Sequence, residues 1–220
     1  MSSAITIPEL QRQIGTNADG IWGPASRAAL VARFVNRAAA AITPGQMQGF
    51  ADRLGVSLRQ LAAVASVESS GGGFDAAGRP KILFERHVFH RRTDGRWTPA
   101  AFSNPQRGGY GEGSWKKLAF ACGRDPDAAF ASASWGKFQV MGFHADALGY
   151  SSSFALALST TVSEAAHYDL LCQFIEVNGL ALPMRAISVD SRDCRAFALA
   201  YNGPAYAQNS YDVKLAKAMR

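Results

Sequence analysis

The sequence predicts a mainly helical protein with a minor extended segment, and three observations predict it. Two stretches, Thr43-Pro44-Gly45-Gln46 and Ser57-Leu58-Arg59-Gln60, have the helix-opening pattern in which a hydroxyl and a Gln three residues on satisfy each other's backbone N–H groups. Side chains recur at i, i+3, i+4 and i+7 in Leu61, Val64, Ala65 and Glu68, and again in Cys194, Phe197, Ala198 and Tyr201. One short run, Lys81-Ile82-Leu83-Phe84, reads instead as a strand or extended segment.

The 220 residues suffice for one sizeable domain, or for one plus a small module. Hydrophobic residues make up 48% and charged ones 18%, which excludes a disordered chain. The formal charge of +6 favours a polyanionic partner: nucleic acid, an anionic membrane or a wall polymer. No run of five basic residues and no basic face interleaved with aromatics is present, so nucleic acid is not the expected partner. Cys122, Cys172 and Cys194 are odd in number and lack C-x-x-C spacing, as expected of reduced core cysteines. Met1 to Glu9 has neither the basic start nor the apolar centre of a signal peptide. No apolar run approaches the roughly 18 residues that a membrane span needs.

Ile7 to Ile14 reads as a short helix with Leu10 and Ile14 inward, ended by Gly15. Asn17 to Gly20 is a turn. Pro24 then suits the first turn of a helix whose apolar face runs through Ala28, Val31 and Ala32 toward Val35. Thr43 opens a helix carrying Met47, Phe50, Ala51 and Leu54, ended by Gly55.

Ser57 opens the helix that matters most. Its apolar stripe, Leu61, Val64 and Ala65, delivers Glu68 on the same face, followed by Ser69, Ser70 and three glycines, Gly71 to Gly73. A carboxyl there is partly desolvated and meets the negative end of the helix dipole; both raise its pKa and suit it to general-acid work. The plainer reading is a solvated last-turn residue. After Lys81 to Phe84, Glu85 sits beside Arg86 and His87, either of which would keep it ionised. It is a candidate second carboxylate, or else half of a structural ion pair. His87 and His90 are three apart without a third ligand, so no metal and no cofactor are expected.

Thr93 to Gly113, with Trp97, Phe102 and Tyr110, reads as a long loop or irregular hairpin whose aromatics either stack on sugar or pin the loop to the core. Trp115 to Ala121 and Asp125 to Ser132 are short helices, and Ser151 to Ser159 another. Thr161-Val162-Ser163-Glu164 opens a longer helix through Val177, with Ala166, Leu170, Phe174 and Val177 inward and Gly179 at its end. Asp190 caps the helix that ends at Tyr201, whose hydroxyl could bond a cleft carboxyl or serve as a core tyrosine bonded to backbone. Ala205 to Met219 closes the fold.

Three motifs stand in one order: Glu68-Ser69, then Ser134-Trp135-Gly136-Lys137-Phe138-Gln139-Val140-Met141, then Ala200-Tyr201-Asn202-Gly203. That order is similar to the lysozyme-like superfamily, which includes goose-type lysozymes and lytic transglycosylases. The fuller pattern, with G-R-P-K-I-L-F-E-R-H at Gly78 to His87, resembles the N-acetylmuramidase domain of phage endolysins. The resemblance implies an α+β lysozyme-like, two-lobed helical catalytic domain over residues 41–220, with Glu68 as catalytic acid. Separately, the D-G-I-W-G-P stretch at Asp19 to Pro24 resembles a shortened peptidoglycan-binding module, placed at residues 1–40; a helical hairpin packed on the main domain is the other reading.

The resemblance implies hydrolysis of the β-1,4 bond between N-acetylmuramic acid and N-acetylglucosamine. Glu68 would give the proton and Glu85 would serve the opposite face of the sugar. Ser69, Ser134, Gln139, Met141, Tyr201 and Asn202 are the candidate substrate-binding residues. The expected partner is the glycan strand, met by a monomer made in a host cytoplasm and released to the wall at lysis. A lytic transglycosylase leaving 1,6-anhydro ends, a non-catalytic peptidoglycan-binding protein, and, from charge alone, a nucleic-acid binder are the alternatives.

Overall fold

The structure, a computed structural model, describes residues 5–69, 71–97, 100–111 and 113–220. The expectations touching the first four residues, Ser70, and positions 98, 99 and 112 of the Thr93–Gly113 loop lie outside the described residues.

Helices α1 (Ile7–Gln13) and α2 (Pro24–Arg33) precede α3 (Pro44–Leu54) and α4 (Leu58–Glu68). Strand β1 (Ile82–Phe84) leads into α5 (Arg86–Arg92), and α6 (Ser114–Ala121) and α7 (Pro126–Ala131) follow. The short strands β2 (Ala133–Trp135) and β3 (Val140–Met141) are followed by α8 (Ser153–Ser159), α9 (Glu164–Val177), α10 (Ala181–Arg185), α11 (Ser191–Asn202) and α12 (Tyr211–Ala218). The chain divides into two compact units, Met1–Ala39 with Phe74–Val162, and Ala40–Gly73 with Ser163–Arg220.

In the first unit, Thr6 caps α1 reciprocally with Glu9. Buried Gln11 then builds the turn that follows. Its Nε2 donates to Asp19 Oδ1, the Ile21 carbonyl and Ser26 Oγ, and its Oε1 accepts from the Gly20 N–H. The inward face of α2 differs from the expected one. Ser26 and Leu30 are buried and lead to Phe34, whereas Ala28 and Ala32 face solvent and Val35 is 39% exposed. The two bulkiest side chains, four residues apart, take the buried side and rotate the small ones outward.

Phe34 is fully buried, with its ring centroid 5.1 Å from Trp115, 5.5 Å from Trp135 and 6.1 Å from Phe130. Trp22 Nε1 donates to the Ala119 carbonyl at 2.7 Å, and its ring occupies the space where a side chain at Gly123 would stand. The N-terminal helices therefore share the aromatic core of this unit. The sheet is antiparallel in the order β1-β2-β3, with Leu83 opposite Ser134 and Ser134 opposite Met141. Helix α5 has weak sequence signals: Glu85 caps it without a side-chain hydrogen bond, and only Val88 and Phe89 are buried.

In the second unit both expected capping boxes form, at Thr43 with Gln46 and at Ser57 with Gln60. Gly55 ends α3 at φ +63°, where a side chain would strike the Arg185 guanidinium as it donates to the Leu54 carbonyl. Arg53 reaches both Glu176 and Asp169 of α9 at 2.6 Å. Ser163, not Thr161, caps α9. Its buried face is His167, Leu170, Leu171 and Ile175, while Val177, expected inward, is 54% exposed in the last turn. Asp190 caps α11, as expected, through the Arg192 N–H. Helix α12 packs against both α4 and α11, which brings it beside Glu68.

Candidate active site

Glu68 is the last residue of α4. Ser69 turns the chain to an extended conformation there and donates its hydroxyl to the Ala65 carbonyl at 2.5 Å, closing the helix end. Leu61, Val64 and Ala65 are buried, so the stripe that ends in Glu68 faces inward; Ala63 shares that burial and Ala62 does not. Glu68 is half-buried, and Asn202 Nδ2 donates to its Oε1 at 3.0 Å.

Burial pushes the Glu68 carboxyl up to about 7, against the Asn202 hydrogen bond and the Lys214 charge, which both pull it down. A carboxyl so placed is substantially protonated near neutral pH. Two tyrosines flank it. Burial first, and the Glu68 charge second, push both the Tyr201 and Tyr211 hydroxyls up, so they stand as neutral O–H groups. Tyr201 is half-buried, with its ring 5.4 Å from Phe197 and 5.6 Å from Phe174. The hydrogen bond to Glu68 from the Ala200-Tyr201-Asn202-Gly203 motif is that of Asn202, the neighbour of Tyr201. Tyr211 and Lys214 are the members of this site that the motifs do not mark. Their signal is the i, i+3 spacing on the last helix, where Lys214 Nζ lies 5.2 Å from the Tyr211 ring.

In the first unit, Glu85 stands where β1 passes into α5, its N–H donating to the Ser132 carbonyl at 2.9 Å. Tyr110 donates its hydroxyl to Glu85 Oε2 at 2.9 Å, and His87 Nδ1 lies 3.1 Å from the same oxygen. Burial lowers the His87 pKa more than the Glu85 charge raises it, with Arg107 and Arg91 pulling the same way as burial. Arg86, one of the two expected partners of Glu85, turns away and donates to the Gln106 and Arg107 carbonyls. Of the loop aromatics, Phe102 packs on Phe89 at 5.8 Å and Trp97 lies under Arg124 at 5.1 Å; Tyr110 is half exposed.

The central motif forms the β2–β3 turn. Gln139 adopts φ +52°, rare for a residue with a side chain, after Gly136 at +71°. Its Oε1 accepts from Ser134 Oγ at 2.8 Å, and its Nε2 donates to the Gly136 carbonyl at 2.7 Å and the Lys81 carbonyl at 3.2 Å. These bonds hold the turn and tie it to the residue before β1. Met141 is half-buried opposite Ser134. At Gly142 a side chain would collide with the Phe130 carbonyl. The sequence-expected site residues thus form two sets. Glu68, Ser69, Tyr201 and Asn202 belong to the second unit, and Glu85, Ser134, Gln139 and Met141 to the first.

Residues 57–220 match the sequence model of one family, described as Muramidase, N-acetylmuramidase. The crystal structure of the Burkholderia AP3 phage endolysin is similar to 97% of this chain and 92% of its own, with 34% identity and a TM-score of 0.73. No curated protein matches. The helices and small sheet described above thus form an α+β lysozyme-like fold.

Proposed function

The chain belongs to the N-acetylmuramidase family, and from that premise we propose that it is a phage endolysin that hydrolyses the β-1,4 bond between N-acetylmuramic acid and N-acetylglucosamine in bacterial peptidoglycan. The observation that carries this reading is the Glu68 carboxyl, raised to about 7 by burial and held through Oε1 by Asn202.

Cleavage needs a proton on the leaving oxygen and support for positive charge on the sugar ring. Because Asn202 donates to Oε1, that oxygen is the acceptor, and the proton of the neutral acid resides on Oε2. Oε2 gives it to the bridging oxygen as the bond to the anomeric carbon breaks. The half-buried setting favours the protonated acid before reaction. Glu85, poised by Tyr110 and His87, serves the other face of the ring, placing water or stabilising positive charge. The candidate substrate-binding residues are Ser69, Tyr201 and Asn202 in the unit of the acid, and Ser134, Gln139 and Met141 in the other. In this reading the protein acts as a monomer on the glycan strands, without nucleic acid, and reaches the wall at lysis.

A lytic transglycosylase is the second reading, favoured by the Ala200-Tyr201-Asn202-Gly203 motif that supplies the Glu68 partner. There the 6-hydroxyl of the sugar replaces water. Mass spectrometry of fragments released from purified peptidoglycan tests both. Reducing N-acetylmuramic acid ends, absent with Glu68→Gln, are expected. Anhydro ends would establish the second reading, and no fragments from either protein would leave only a binding role.

A further inference from the structure

The charge excess sits in one unit. Fifteen of the 23 Lys and Arg and nine of the 17 Asp and Glu fall in the unit built from residues 1–39 and 74–162, which therefore carries the whole +6; the other unit has eight of each and is neutral. Within the charged unit two cavities, of about 280 and about 190 Å³, share Ala101 and Lys117 as walls. Among the described residues no Asp or Glu lines either one.

The cationic walls are held in place. Lys117 is only 3% exposed, rare for a lysine, and its Nζ donates to the Gly109 carbonyl. Arg86 donates through Nε and Nη2 to two loop carbonyls, and no acceptor among the described residues takes the hydrogens of Nη1. Gly109, at φ +73°, leaves room for that guanidinium; a Cβ there would stand 2.7 Å from Nη1. Gly111, on the same wall, faces open space. In the larger cavity Phe102 and the 42%-exposed Phe120 add apolar wall beside the exposed Lys116. A planar guanidinium fixed by backbone acceptors matches a carboxylate and loses little freedom on binding one. The volumes suit an amino-acid-sized group rather than a run of sugars.

We propose that the cavities lined by Arg86, Lys116 and Lys117 bind a carboxylate-bearing residue of the peptide stems attached to the glycan, and so favour stem-bearing substrate. This rests on the peptidoglycan reading above. The placement agrees with it: Tyr110, which bonds Glu85, stands in sequence between the two glycines of the smaller cavity.

The test compares the full chain with Arg86→Gln/Lys116→Gln. Titration uses a free stem tetrapeptide, the same peptide with its carboxylates amidated, and inorganic phosphate. The unmodified protein binds the tetrapeptide, and binding falls at least tenfold for the double variant and for the amidated peptide. On intact peptidoglycan the variant's KM rises several-fold, while turnover of glycan strands stripped of stems is unchanged. Equal tetrapeptide binding by both proteins, none by the unmodified one, or binding of phosphate alone would overturn the proposal. If the double variant melts early, Lys116→Glu, at the cavity mouth, is read by the same titration. Tetrapeptide binding without any release of glycan fragments would sink the hydrolase reading and leave this site standing.

Discussion

Asn202 Nδ2 donates to Glu68 Oε1 at 3.0 Å, joining the last residue of α11 to the last residue of α4. The bond stabilises the ionised carboxyl, so it works against the burial that keeps Glu68 protonated. Its value to the site is therefore geometric. Asn202→Ala should lower the plateau rate and also move the alkaline limb of the pH–rate profile upward, because the charged form of Glu68 loses a partner. A limb that moves down would show that Asn202 does not act on Glu68 in this way. Glu68→Gln should remove activity by about 10²-fold or more at every pH.

The same carboxyl makes stability depend on pH. Its folded pKa of about 7 lies above the 4.5 of an ordinary Glu side chain. The folded state therefore binds more protons between those values, and stability falls as pH rises through that window. Below about pH 4.5 the group costs nothing; above 7 the penalty is at most about 3 kcal/mol. Glu68→Gln should thus stabilise the protein against urea at pH 8.5 and have little effect at pH 4. Equal effects at both pH values would mean that the carboxyl is not desolvated in the folded protein.

Helix starts were readable in the sequence because capping is local. Thr43, Ser57 and Asp190 each cap the helix assigned to them, through neighbours two or three residues away. Inward faces were less readable because they depend on what the rest of the chain supplies. Nothing local tells that Phe34 meets Trp115 and Trp135, or that Val177 ends in solvent. At the candidate site, Glu68 was readable from its stripe, whereas Lys214 and Tyr110 reach their carboxylates from 146 and 25 residues away in the chain, and nothing local to either one names the carboxylate it meets.

Phe34 gives a direct test of how the N-terminal helices are attached. It is fully buried among Trp115, Phe130, Trp135 and Phe154. Phe34→Ala should cost about 3–5 kcal/mol, the range for an aromatic removed from a close-packed core. A separable module would behave otherwise: the loss would be confined to it, and a second, unchanged transition would persist. Calorimetry that shows such a transition would contradict the shared core.

Glu85 is the residue on which the chemistry of the opposite face turns. Its Oε2 accepts from Tyr110 and lies 3.1 Å from His87 Nδ1, so the carboxylate is positioned by two side chains rather than left in solvent. Glu85→Gln keeps the shape and an acceptor for Tyr110 but removes the charge. If Glu85 places water or stabilises positive charge, kcat should fall by about 10²-fold with KM and melting temperature nearly unchanged. Tyr110→Phe removes one positioning bond and leaves the charge, so its loss in kcat should be smaller, below about tenfold. A structural ion pair predicts the reverse ranking in kind: both variants would melt earlier, and kcat per folded molecule would hold. Unchanged kcat and unchanged melting in Glu85→Gln would mean that Glu68 works with the substrate's own groups, and the fragments' anomeric configuration would then identify which of them takes part.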